Sequence, residues 1–176
     1  MSYYDIDDII GDSQRLPCKF NTDAKGLGWL EGNPGKDMKS GTKLELPFWI
    51  SEILAISTIS SDSDITFIEL LQPDALNKKV LNAIKTSSIS LDLHSISTNY
   101  YSLVEKWAGL YNDEELVQVI GDMLKERSDE INNYAQNFKG NQQESGFLYS
   151  LDEFEKKLYK ITHESYKNLK KWLNNQ

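Results

Sequence analysis

Ser90-Leu-Asp-Leu-His-Ser-Ile-Ser-Thr-Asn-Tyr-Tyr-Ser-Leu-Val-Glu-Lys-Trp-Ala-Gly-Leu-Tyr111 is the most strongly periodic segment of the chain. Leu93, Ile96, Tyr100, Leu103, Trp107 and Leu110 recur at steps of three and four, the spacing that stacks side chains on one face of a helix. That stripe is a core face. Tyr101, Val104 and Tyr111 widen the apolar arc beyond what one neighbouring helix covers, so a second surface must be buried as well. A partner is one candidate for it, because Tyr and Trp are enriched at interfaces; the chain's own core is the other.

Outward from this stretch, composition bounds the class. The chain has 176 residues, enough for one domain or an ordinary domain with a small one, and 39% of them are hydrophobic, too many for wholesale disorder. No apolar run reaches the roughly eighteen residues a membrane span needs, and the start, Met-Ser-Tyr-Tyr-Asp-Ile-Asp-Asp, has no basic segment. Neither a membrane span nor a secretory signal is expected, and the sequence reads as intracellular. Cys18 is the one cysteine, which excludes an internal disulfide. A net charge of −8 argues against a free-standing nucleic-acid binder, whose affinity comes from Lys and Arg neutralising phosphates. Lys156, Lys157, Lys160, Lys167, Lys170 and Lys171 supply a local basic run, but Glu153, Glu155 and Glu164 interleave with it as on a solvated helix face. A direct nucleic-acid contact through this Lys-rich helix is the alternative function.

Tyr3 to Ile10 mixes two aromatics and three isoleucines with three aspartates, unusual for a terminus, so this arm is expected to dock. From Arg15 to Leu46 the period changes. Leu16, Cys18 and Phe20 alternate with Pro17 and Lys19, Gly26-Leu-Gly28-Trp-Leu30 is a short apolar run, and Lys43-Leu-Glu-Leu46 alternates again, as short strands do. Gly32-Asn-Pro-Gly35 and Ser40-Gly41 carry turn chemistry between them. Leu46 to Ile56 then reads as a helix with Pro47 at its first position, closing the strands with Trp49 or Ile50, Ile53, Leu54 and Ser57. Ser57 to Asp64 looks like a linker, which places a domain boundary near residue 63.

Thr66 to Leu71 reads as an extended entry to the second part, and helices follow to the end. Pro73 and Asp74 open one with Leu76, Val80, Ala83 and Ile84. Asn112-Asp-Glu-Glu115 has capping-box spacing ahead of Leu116, Ile120, Met123, Leu124, Ile131, Tyr134 and Phe138. After the polar loop Gly140 to Gly146, Ser150-Leu-Asp-Glu153 repeats that spacing. It opens a last helix with Phe154, Leu158, Ile161, Ser165, Leu169 and Trp172 on one face. The fold class is α+β, mainly α: a small β-rich module over residues 1–63 and a helical bundle over 64–176.

Signals of chemistry are nearly absent. A lone cysteine alternating with Leu16 and Phe20 behaves as a small buried hydrophobe, so Cys18 with His94 or His163 does not make a nucleophile and its base. In Gly26-Leu-Gly28-Trp-Leu-Glu-Gly32 the third glycine is displaced for a phosphate cradle, and no helix follows directly. Two histidines and one cysteine cannot assemble a zinc site without several carboxylates, and Asp5, Asp7 and Asp8 lack the turn residues of a cation loop. No catalytic residue, metal or cofactor is expected. The residues alone give an interaction protein with wide apolar faces.

Several pieces resemble one family. Tyr3-Tyr-Asp-Ile-Asp-Asp-Ile9, Leu16-Pro-Cys-Lys-Phe20, Gly26-Leu-Gly28, Asn33-Pro-Gly35 and Gly41-Thr-Lys-Leu-Glu-Leu-Pro-Phe-Trp49 resemble the Psf-three subunit family of the GINS replication complex. So do Glu69-Leu-Leu, Asn82-Ala-Ile-Lys85, Leu91-Asp-Leu-His-Ser95, Tyr100-Tyr101, Lys106-Trp107 and His163-Glu-Ser-Tyr-Lys167, so that the likeness spans nearly the whole chain. The resemblance implies a small N-terminal B-type domain, a C-terminal helical A-type domain, and a scaffold subunit of a nuclear heterotetramer with three paralogous subunits. It further implies that the assembly binds the hexameric MCM helicase with a further cofactor to make the active replicative helicase, with DNA contact at most indirect or weak. The partner-facing residues expected are Tyr3, Tyr4, Ile6, Ile9, Leu91, Leu93, Tyr100, Tyr101, Val104, Trp107, Tyr111, Leu158, Tyr166 and Trp172.

Overall fold

A computed structural model describes residues 4–60, 63–136 and 145–174. The chain divides into two units, Met1–Asp74 and Ala75–Gln176, and the whole is α+β, mainly α.

The first unit is built on β1 (Arg15–Phe20), whose alternation sends Leu16, Cys18 and Phe20 inward. β2 (Lys43–Pro47) pairs antiparallel on one side, with Leu16 opposite Leu46 and Cys18 opposite Leu44. β5 (Ile68–Leu70) pairs on the other, with Cys18 opposite Leu70. This moves the boundary expected near residue 63. β5 buries Ile68 and Leu70 against the first unit and covers the second edge of β1, so the first unit runs on to Asp74. The expected linker is instead a short hairpin, β3 (Thr58–Ser60) with β4 (Ser63–Thr66).

Residues Gly28–Glu31 form a 3-10 turn rather than a strand. The Gly28 N–H donates to the Lys36 carbonyl at 3.0 Å, so close that a Cβ on Gly28 would sit 2.3 Å from that oxygen. Only glycine fits. α1 (Ile6–Ser13) starts at Asp5, whose carboxylate accepts the Asp7 N–H at 3.1 Å. α2 (Phe48–Ile56) follows Pro47, which stands one place before the helix as its cap and not as its first residue. Its inward residues are Phe48 and Ser51, while Trp49 and Ile53 face out. Of the face expected to close the sheet, Trp49 and Ile53 are thus exposed, whereas Ile50, Leu54 and Ser57 are half-buried; the Phe48 N–H at the start of the helix donates to the Gln14 carbonyl at 2.8 Å.

The second unit holds α3 (Lys78–Thr86), α4 (Leu93–Ile96), α5 (Tyr100–Tyr111), α6 (Glu114–Gln136), α7 (Ser145–Tyr149) and α8 (Glu153–Asn174). Pro73 and Asp74 do not open α3; Asp74–Leu76 is a 3-10 turn and Asn77 is the cap. The stretch 90–111 is two helices, not one: Ser97 is extended at φ −161°, and α5 restarts after Asn99. Both caps sit later than expected. Asp113 accepts the Leu116 N–H at 3.0 Å, while Asn112, left-handed at φ 50°, closes α5. At α8 the box is Asp152 with Glu155, not Ser150 with Glu153. The Asp152 side chain accepts the Phe154 N–H at 2.7 Å, and its own N–H donates to Glu155 Oε2 at 3.4 Å. α6 and α8 pack along each other, and α5 packs on α6. Most of the expected polar loop Gly140 to Gly146 lies outside the described residues; Ser145 and Gly146 open α7.

Candidate protein interface

A buried ion pair fixes the scaffold on which any interface of the second unit is mounted. On α6, Leu116, Ile120, Met123, Ile131 and Ala135 make a buried stripe at helical spacing, and Arg127 occupies its middle. Arg127 is fully buried and forks onto Glu155 of α8, Nε to Oε1 at 2.7 Å and Nη2 to Oε2 at 2.8 Å. Its Nη1 donates to the carbonyls of Ser88 at 2.8 Å and Leu91 at 3.0 Å, and the Phe147 ring lies 5.2 Å from the guanidinium carbon. The Tyr101 hydroxyl donates to Glu155 Oε1 at 2.8 Å. Burial, foremost, and the Glu155 charge push the Tyr101 phenol far up, so it stays a donor. One arginine therefore ties α6, α8 and the strap before α4 together, with Tyr101 bringing in α5. The signal for it was in the sequence: a charged residue at a stripe position, flanked four residues either way by Met123 and Ile131.

The expected interface residues divide around this network. Leu93, Tyr100, Val104 and Trp107 are buried in the chain's own second unit, so the expectation that they face a partner is corrected. α6 is 23 residues long, and with α8 it supplies enough surface to cover the widened arc of α5. Leu91 and Tyr101 are half-buried, one giving its carbonyl and the other its hydroxyl to the network. Tyr111 remains exposed, its ring 4.7 Å from that of Trp107. Leu158 and Tyr166 are half-buried on α8. Trp172, Tyr4, Ile6 and Ile9 stand exposed, and Tyr3 lies outside the described residues.

α8 sorts into two faces. Glu155, Tyr159, Thr162 and Tyr166 lie inward at steps of three and four, and His163 Nδ1 reaches the Ala135 carbonyl at 3.1 Å. Ile161, Leu169 and Trp172 lie outward and uncovered, Ile161 being 66% and Trp172 59% exposed, with Leu173 beside them, while Phe154 turns outward with its ring 5.6 Å from that of Tyr101. Beyond Tyr166 every described residue of α8 is exposed. Stripes of this kind on monomers mark interaction sites. Of the basic run on the same helix, Lys156 pairs with Glu153 at 2.7 Å and Lys170 lies over the Tyr166 ring.

Cys18 is wholly buried in the sheet, its Sγ donating to the Leu44 carbonyl, and burial pushes its thiol up, away from the thiolate a nucleophile needs. Among the described residues no group of three or more His, Cys, Asp or Glu is placed to hold a metal, and no helix is long and apolar enough to cross a membrane.

Residues 4–56 match the family model described as the PSF3 N-terminal domain, and residues 75–174 match that of the GINS complex protein helical bundle domain. A Debaryomyces hansenii protein named DNA replication complex GINS protein PSF3 is 57% identical over 172 residues, covering 98% of this chain and 97% of its own length. Its namesakes in Candida albicans, 50% identical over 97% of this chain and 96% of their own, and Saccharomyces cerevisiae, 42% over 98% of each, agree. With one helical model matching more than half of the residues and full-length relatives at this identity, the chain belongs to the PSF3 family of GINS complex subunits.

Proposed function

We propose that this chain is a non-catalytic scaffold subunit of the heterotetrameric GINS complex in the nucleus. In this reading three paralogous subunits cover its exposed helix face, and the assembly joins the hexameric MCM helicase with a further cofactor to form the active replicative helicase. The observation that supports it is the outer stripe of α8, where Ile161, Leu169, Trp172 and Leu173 stand in water on the chain's own fold. Obligate interfaces bury large apolar areas of this character, resembling a core cut in two. Burial of the one thiol supports a role without catalysis, and a net charge of −8 supports DNA contact that is at most indirect or weak.

Expression of the chain alone and with three sister subunits tests the reading, the mass being measured by light scattering. Co-expression yields one heterotetramer; the chain alone self-associates. A monodisperse monomer that melts cooperatively and ignores the sisters contradicts it. Steep salt dependence of DNA binding by the isolated chain, lost on changing Lys160, Lys167 and Lys170 to Glu, would move the function to the Lys-rich face instead.

A further inference from the structure

α8 outlasts its support. It packs along α6, and His163 reaches the Ala135 carbonyl one residue before the described end of that helix. Residues 167–174, roughly 12 Å of helix at 1.5 Å per residue, are then exposed without exception. A helix end with no tertiary contact is held only by the turns behind it, and its hydrogen bonds open to water.

The charge on this end has one sign. No Asp or Glu follows Glu164 in the sequence, whereas Lys167, Lys170 and Lys171 do. Lys160, Lys167 and Lys171 recur at steps of seven and four, which sets them in a row beside Ile161 and Trp172. All three are exposed, and none has an ion pair among the described residues. The helix dipole draws cations to a last turn, which accounts for Lys171 alone. An occupant must cover the indole and leucines and also answer a row of cations. Nucleic acid or anionic lipid would answer the cations, but the net charge of −8 repels either. A symmetric second copy would set lysine against lysine. We propose that residues 167–174 of α8 dock as a helix into a groove of a sister subunit whose floor is apolar and whose margin carries Asp and Glu. Docking then closes the hydrogen bonds of this helix end to water. The proposal rests on the reading of α8 as a subunit interface and names the chemistry of the surface that meets it.

The test compares the full chain, dilute and alone, with the tetramer obtained by co-expression with three sister subunits. Carbodiimide joins an amine directly to a carboxylate it touches. In the tetramer it links Lys167 or Lys171 to an Asp or Glu of a sister, as read by peptide mass spectrometry. Amides of residues 167–174 exchange hydrogen about tenfold slower or more in the tetramer than in the chain alone. Lys167→Glu with Lys171→Glu cuts recovery of the sisters about tenfold while the chain keeps its melting temperature, since both side chains are exposed. Lys167→Arg with Lys171→Arg keeps the recovery. A tetramer that forms normally, yet shows no such link or no slowing of exchange, overturns the proposal and leaves the subunit reading standing. Equal recovery with the Glu and Arg pairs does the same. Failure of the unmodified chain to assemble overturns both. Links between two copies of the chain make the occupant a second copy. Binding of duplex DNA or phosphatidylserine vesicles by the tetramer, lost in the Glu pair, overturns the proposal in favour of nucleic acid or lipid. Cross-linking and exchange on the unmodified chain decide the matter even where a variant fails to fold.

Discussion

Tyr101 and Asp152 are 51 residues apart in the chain, yet the Tyr101 N–H donates to Asp152 Oδ2 at 3.0 Å. One carboxylate thereby caps two helices, since its Oδ1 accepts the Phe154 N–H at 2.7 Å in the first turn of α8. The residue is 1% exposed. Burial, foremost, and the neighbouring charges of Glu155 and Glu153 push its carboxyl up from 3.8 to about 6, against the two N–H bonds that pull it down.

A carboxyl whose folded value lies above its unfolded value takes up a proton on folding between the two. The contribution of Asp152 to stability is therefore fully present below about pH 4 and is lost as pH rises through about 6, by at most about 3 kcal/mol. Asp152→Asn removes the titration and one of the two caps. In urea unfolding the advantage of the unmodified chain over this variant shrinks by roughly 1–3 kcal/mol between pH 4 and pH 7. A difference independent of pH contradicts this account of the cap.

Arg127 and Glu155 are each fully buried and each other's counter-charge. Removing one leaves the other charge stranded, so Arg127→Met or Glu155→Gln costs about 3–5 kcal/mol in denaturant unfolding. The double change Arg127→Met with Glu155→Leu costs less than the sum of the two singles, because no charge is left unpaired. Additive losses would mean that the pair is not coupled.

Tyr100 and Tyr101 are neighbours with opposite needs. The Tyr100 hydroxyl is buried with no hydrogen-bond partner among the described residues, whereas that of Tyr101 serves Glu155. Tyr100→Phe leaves stability equal or raises it by about 1 kcal/mol, and Tyr101→Phe lowers it by about 1–3 kcal/mol. Thermal melts of the two variants side by side check the order; the reverse order contradicts it.

What the sequence made legible was local. The alternation of Leu16, Cys18 and Phe20 and the 3.6 period of Tyr100, Leu103, Val104 and Trp107 declare themselves within a few residues, and β1 and α5 stand where those patterns put them. What it hid was long-range. The break between α4 and α5 follows from a cap supplied by Asp152, and β5 is three residues long, too short to announce that it pairs with β1. The apolar arc around Trp107 was read as surplus because nothing local tells how much of it α6 and α8 cover. Arg127 broke an apolar stripe in plain view, but its partner Glu155 lay in what reads as a solvated Lys/Glu face.

The central claim is that the outer stripe of α8 is completed by other subunits. Leu169→Asp with Trp172→Asp changes two side chains that the chain itself leaves exposed, so its own melting is expected to hold. The direct measurement is recovery of the three sister subunits on a tagged chain after co-expression. Loss of the sisters by about tenfold or more, with the chain still folded, is the predicted result; full recovery of all three in unchanged proportion would contradict the claim.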